Sequence, residues 1–207
     1  MSFETWLAFA AASTVLLVIP GPTILLVVSY ALGQGWRAAW PLALGVALGD
    51  LTAMTLSMLG LGALLATSAT VFTILKWMGA AYLVYLGVKL FRAGGTFNAQ
   101  PRADATPPAR MMGHAWLVTA LNPKSLTFFV AFLPQFIDPS QDFWRQMAIF
   151  EATFVGLAIV NAFGYAFLVS RARSAFSSAS MIRTLNRIGG SLLVGAGIAT
   201  AALRSSN

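Results

Sequence analysis

Apolar positions along this chain run on without alternating. Between Glu4 and Arg37 no residue is charged, so neither the 3.6-residue period of a half-exposed helix nor the two-residue period of a half-exposed strand shows. A run of this kind predicts a helix crossing a bilayer, which needs about 20 apolar residues. It is placed at Trp6–Leu32, with Trp6 and Tyr30 suited to the two interfaces. The same reading predicts spans at Trp40–Leu64, Val71–Phe91, Trp116–Ile137, Met147–Ser170 and Ile188–Leu203. Lys76 and Lys89 lie near the ends of the third, where long side chains reach the headgroups.

Between the third and fourth spans, Arg92–Met112 holds Gly94-Gly95, Pro101, Pro107-Pro108, Asp104 and three arginines. It has too few apolar residues to cross lipid and reads as a linker. The expected fold is an all-α membrane protein with six transmembrane helices. They form a single transmembrane transporter domain over residues 1–207, with pseudo-repeats 1–95 and 113–207 around the linker 92–112. A shift of 110 places sets Gly79, Leu83, Val84 and Gly87 on Gly189, Leu193, Val194 and Gly197. Three being odd, duplicated three-span units insert with opposite orientation, the inverted-repeat plan of many secondary transporters.

Composition closes off other classes. Hydrophobic residues make up 58% and charged ones 9%, whereas soluble domains are roughly 25% charged. The net charge of +7 comes from basic residues placed singly at span edges, which excludes a nucleic-acid stripe and supplies orientation signals. Arg37, Lys89, Arg92, Arg102, Arg110, Arg171, Arg173, Arg183 and Arg187 gather on one side; Lys76, Arg145 and Arg204 fall on the other. By the positive-inside rule the loops after spans one, three and five face the cytoplasm, so both termini are expected in the periplasm. The N-terminus has no basic region ahead of its apolar run, so that run is read as a retained span. No Cys and one His argue against disulfides, thiol relays, metal sites and a catalytic constellation. No cofactor and no enzyme activity are expected.

Chemistry concentrates at two breaks. In Val18-Ile19-Pro20-Gly21-Pro22-Thr23 the prolines give no N–H to the carbonyls of Leu16 and Val18, and the helix should break at Gly21. Irregular backbone at membrane depth must face protein or a watery cavity. In Leu121-Asn122-Pro123-Lys124-Ser125, Asn122 reads as an N-cap and Pro123 as the first helical residue of a half-helix towards Ile137. Both breaks offer helix N-termini that favour a carboxylate. Lys124 adds a positive charge there, or pairs with an internal acid. Asp50, about ten residues into the second span, is costly in a bilayer, on the order of 3 kcal/mol, and thus a functional candidate for a substrate ammonium, a proton or Lys124. Gly45 and Gly49 form a small-xxx-small pattern beside it. Asn161 is a polar candidate for the lining, Glu151 is placed near the interface, and His114 is given no role. The substrate-binding set is therefore Pro20, Gly21, Pro22, Thr23, Asp50, Asn122, Pro123, Lys124 and Asn161.

These motifs also carry a likeness. Pro20-Gly21-Pro22, Gly35-Trp36-Arg37, Gly45–Asp50, Lys76–Leu83, and Asn122-Pro123-Lys124 with Pro134-Gln135-Phe136 together resemble the LysE family of exporters, nearest its homoserine and threonine branch. The resemblance covers nearly the whole chain. It implies proton-driven efflux of amino acids or related zwitterionic metabolites across the bacterial inner membrane, with the break prolines, Asn122 and Asp50 shaping the pathway. Family members exporting basic amino acids are expected to carry further acid in the fourth span. Lys124–Ile137 contains none, which argues against lysine or arginine. The expected partners are a zwitterionic small molecule, protons and the lipid bilayer, with no nucleic acid; a homodimer stays open. The alternatives are export of another small metabolite, or an ion channel on the same six helices, for which only scattered Ser and Thr would line a pore.

Overall fold

The computed structural model describes residues 1–67, 106–138 and 140–171, together with isolated positions between 74 and 92 and between 183 and 198. Apart from those positions, the third and sixth spans lie outside the described residues. Among the described residues all regular structure is helical: α1 (Phe3–Val18), α2 (Pro22–Gln34), α3 (Ala39–Thr67), α4 (Pro108–Ala120), α5 (Pro123–Thr127) and α6 (Phe143–Arg171). A 3₁₀ turn, Gly35–Ala38, joins α2 to α3. A π segment, Phe128–Phe132, and a 3₁₀ turn, Leu133–Phe136, follow α5.

Three helical stretches, Pro22–Gly60, Pro108–Phe136 and Phe143–Arg171, are long and apolar enough to cross a membrane, and Phe3–Val18 is a shorter apolar helix. With the composition, this makes the chain a multi-pass membrane protein. Large apolar side chains such as Leu44, Leu48, Leu51 and Val160 are exposed, as suits a lipid-facing surface.

The break in the first span is real and local. Ser2 caps α1 by accepting from the Thr5 N–H. The helix ends at Val18, with Ile19 in extended conformation. Gly21 is the extended N-cap of α2 and Pro22 its first residue. At 16 and 13 residues, α1 and α2 are each about 20–24 Å long, short of the roughly 30 Å of hydrocarbon; their summed length exceeds it. At Gly35 a φ of 67° lets the chain turn back into α3. Thr23 and Ile24 then lie beside Asp50 and Val46, and Ala31 shares a cluster with Ala38 and Ala39, so α2 and α3 run antiparallel.

The linker ends earlier than expected. Pro108 stands first in α4, after Pro107 as N-cap, and Met111 is buried in the bundle. The Pro-Pro pair reads as a breaker, but Pro at the first helical position starts a helix as readily as it ends one. Beyond the second break, the expected half-helix keeps its place but not its regularity. The Leu133 N–H reaches back to the Phe128 carbonyl, a wider turn one residue ahead of Pro134, and the Gln135 amide donates to the Ala131 carbonyl.

Small residues set the closest crossing. A Cβ built on Gly45 would lie 2.3 Å from the Met112 carbonyl oxygen, and one on Gly49 would lie 2.6 Å from the Thr119 Cβ. The small-xxx-small pattern thus seats α3 on α4 and carries Asp50 against the second break. Gly156, on the exposed face of α6, has nothing within 4 Å. Gly45→Ala is expected to destabilise the protein by about 1–3 kcal/mol through overpacking against backbone, while Gly156→Ala stays within about 0.5 kcal/mol. Thermal unfolding of the two variants in detergent checks this.

Candidate functional site

Breaking α1 leaves four carbonyls without their helical partners. In an unbroken helix Leu16, Leu17, Val18 and Ile19 would accept from residues 20 to 23. Two of those are prolines with no N–H, and the turn at Gly21 carries the other two away. Lipid offers no donor at this depth, so the protein provides them. Lys124 Nζ donates to the Leu16 carbonyl at 2.8 Å and to the Ile19 carbonyl at 2.7 Å. Asn161 Nδ2 donates to the Leu17 carbonyl at 3.0 Å, and Tyr165 Oη to the Val18 carbonyl at 2.6 Å. The ammonium sits where the helix dipole is negative and a cation is favoured.

The second break is tied to the first by hydroxyls and an amide. Asn122 caps α5 by accepting from the Lys124 backbone N–H at 3.1 Å, and its Nδ2 donates to Thr23 Oγ1 at 3.1 Å. Thr23 Oγ1 also bonds Thr119 Oγ1 at 3.2 Å. This brings together the start of α2, the end of α4 and the start of α5.

Between them lies a cavity of about 20 Å³, lined by Leu17, Thr23, Ile24, Val46, Asp50, Asn122, Lys124, Ser125, Ala158 and Asn161. It has room for about one water molecule. Asp50 is 2% exposed, and its Oδ1 has no hydrogen-bond partner among the described residues. Asp50 and Lys124 interact electrostatically across the cavity, but no ion pair joins them; the ammonium is held by the α1 carbonyls. A larger depression of about 420 Å³ lies at the far end of the bundle, around Met1, Gln141, Asp142 and Arg145. Its buried polar residue, Gln146, is bonded to the Asp138 backbone through both its oxygen and its nitrogen, and we take the smaller cavity, which holds Asp50 and Lys124, as the site.

Of the nine residues singled out from the sequence, Thr23, Asp50, Asn122, Lys124 and Asn161 line the cavity, while Pro20, Gly21, Pro22 and Pro123 shape the backbone around it. Tyr165, Ser125 and Thr119 were not singled out. Tyr165 lies one turn after Asn161 on the same face, and Thr119 one turn before Asn122, so helical spacing from the residues already named would have found both. Glu151 stands eight residues into α6, which starts at Phe143, and accepts from Thr55 Oγ1 at 2.6 Å. His114 bonds Tyr30 Oη through Nδ1 at 2.6 Å.

Apolar clusters pack beside the cavity among the described residues. In one, Phe9, Phe128, Phe129, Phe136, Phe150 and Phe154 lie with ring centroids 4.5 to 6.4 Å apart. In the other, Ala31, Ala39, Ala43, Ala115, Ala158, Ala162 and Ala166 pack α2, α3, α4 and α6 together. Among the described residues no group of acids and histidines is spaced to hold a metal ion.

Removing one cap should be costly because the carbonyl it served stays buried. Tyr165→Phe keeps the ring and strands the Val18 carbonyl, which is expected to cost about 1–3 kcal/mol. A melting temperature in detergent equal to that of the unaltered protein would contradict this.

The family described as LysE type translocator matches residues 14–203. A Salmonella typhimurium protein named homoserine/homoserine lactone efflux protein is 36% identical over 203 residues, covering 97% of this chain and 98% of its own. A Vibrio cholerae uncharacterized membrane protein is 33% identical over 205 residues, 99% of this chain and all of its own. A leucine efflux protein of Salmonella choleraesuis is 33% identical over 124 residues, 59% of this chain and 58% of its own. No solved structure matches.

Proposed function

The chain belongs to the LysE type translocator family, and from that premise we propose that it exports a small amino acid or related zwitterionic metabolite across the bacterial inner membrane, in antiport with protons. The observation that carries this reading is the internal cavity. In a bundle packed from Phe, Ala and Leu, one small space collects a carboxylate, an ammonium, two amides and two hydroxyls at the meeting of two broken helices. Intramembrane charge is costly and marks substrate or ion pathways.

The poles of the cavity suit the two ends of an amino acid. A carboxylate would meet the N-terminal N–H groups of α2, with Thr23, Asn122 and Ser125 beside them. An ammonium would meet Asp50 and the carbonyl end of α1. The relatives' names weigh the two ends differently. Homoserine, its lactone and leucine share a primary ammonium, whereas the lactone has no free carboxylate and the side chains differ. Ammonium recognition is therefore the common requirement, and the carboxylate end tolerates an ester.

The whole-chain architecture we propose is six spans in two inverted repeats, both termini in the periplasm. Its support is the pairing of Gly21-Pro22 with Asn122-Pro123 as matching N-cap and first-residue pairs. The helix ends that carry Arg37, Arg110 and Arg171 also lie towards one side: Tyr30 meets His114, and Trp36 meets Phe167 edge to face, with Arg171 over the Phe167 ring.

Export is tested in everted inner-membrane vesicles supplied with L-homoserine or L-leucine under an imposed proton gradient. Uptake should depend on the gradient and fall by an order of magnitude or more in Asp50→Asn and in Pro20→Ala/Pro22→Ala, at equal protein abundance. Methyl esters should compete and N-acetyl amino acids should not. Normal transport by Asp50→Asn would end the proton-coupling role of that residue. As the chain contains no Cys, orientation is read separately from single cysteines placed at residues 92–107: an impermeant thiol reagent should leave them unmodified in intact spheroplasts.

A further inference from the structure

Among the described residues Lys124 is the one primary ammonium lining the cavity, and it occupies what a substrate ammonium would need. Its Nζ takes the Leu16 and Ile19 carbonyls at 2.8 and 2.7 Å. The residue is 7% exposed, with the end of its side chain running along Gly21, where an added Cβ would lie 3.4 Å from both Cε and Nζ. Asp50 Oδ1, on the same cavity, stays without a hydrogen-bond partner among the described residues. We propose that Lys124 is a tethered stand-in for the substrate's ammonium: it fills that subsite in the empty carrier and is displaced when an amino acid binds. This rests on the export reading above, and it adds a specificity-determining role for a residue whose plainer role is to cap α1.

Charge and volume support the exchange. A cavity of about 20 Å³ has no space for an amino acid alongside the lysine, so a ligand has to move a lining group. Two ammonium groups facing one carboxylate repel each other in a medium of low dielectric. The lysine stem is flexible and its ammonium is held only by hydrogen bonds, whereas Asp50 and Asn161 are on short stems of packed helices. The arriving ammonium takes the α1 carbonyls with Asp50, and the released Lys124 is free to meet the substrate's carboxyl group. Selectivity for a primary ammonium follows, because the subsite is already built to hold one.

The test deletes the stand-in and supplies it in solution. Lys124→Ala removes three methylenes and an ammonium, which n-propylammonium replaces. In purified Lys124→Ala, n-propylammonium chloride should raise Tm by about 3 °C at ten times its Kd, while leaving the unaltered protein unmoved; n-propanol should do neither. L-homoserine should displace n-propylammonium from the variant, and N-acetyl-L-homoserine should not. Binding of n-propylammonium that L-homoserine cannot displace would reduce Lys124 to a structural cap and overturn the proposal, as would no stabilisation at all in a folded variant.

If Lys124→Ala does not fold, the unaltered protein gives the answer. Labelling of Lys124 by an amine reagent, followed by mass spectrometry, should increase several-fold with saturating L-homoserine; unchanged labelling while L-homoserine measurably binds overturns the proposal. The n-propylammonium experiment needs no transport, so its failure and the failure of export are separate results.

Discussion

Four carbonyls at the open end of α1 are the constraint on which the rest of this structure depends. Lipid offers no hydrogen-bond donor, and each carbonyl left bare there would cost several kcal/mol. Three side chains from two distant stretches meet the demand, Lys124 at the start of α5, and Asn161 and Tyr165 on one face of α6. Those bonds fix where α5 and α6 stand relative to α1. They explain why α5 starts where it does, since Asn122 must cap the turn that aims Lys124. They also explain why α3 has glycines at positions 45 and 49: α4 must approach closely enough to bring Asn122 to Thr23.

Much of this was legible in the sequence, for identifiable reasons. Pro20-Gly21-Pro22 admits no continuous helix whatever surrounds it, so the break could be read from stereochemistry alone. Asn122-Pro123 is a local start signal of the same kind. Asp50 stood out because a charge in an apolar run has few harmless explanations. The small-xxx-small pair revealed a close crossing but not its partner, because the identity of the neighbouring helix is a tertiary fact. Tyr165 carries no signal of its own, because a tyrosine in an apolar helix is ordinary; only its place one turn after Asn161 marks it. The start of α4 was missed where Pro107-Pro108 supports both a linker and a helix start; only the burial of Met111 decides between them.

Lys124 has partners that its place in the sequence does not show. Helix N-termini drew attention as sites for a carboxylate, and a nearby lysine was assigned to the same pole or to an internal acid. In the structure its ammonium serves the opposite pole, the carbonyl end of α1, while its backbone N–H belongs to the N-cap of α5. One residue thus touches a positive helix end through its main chain and a negative one through its side chain. A long, flexible stem makes this possible, and a residue's place in sequence does not say where such a stem ends.

A helix broken inside a membrane has a chemical property that a kinked one lacks. Its two new ends, Val18 and Pro22 with three residues between them, carry partial charges of opposite sign, about half an elementary charge each. That is the charge pattern of a zwitterion, so a single break can complement an amino acid with backbone groups alone, whatever its side chain. Backbone recognition is also tolerant, because it reads the ends of the ligand and leaves its middle free. The charged side chains then have a narrower task. Lys124 occupies the carbonyl end, and in the proposed exchange Asp50 keeps the cavity from holding an unopposed positive charge, whether that charge belongs to the lysine or to an arriving ammonium. A carboxylate with an unpartnered oxygen is what such a site requires: committed fully to one cation, Asp50 could not serve the other.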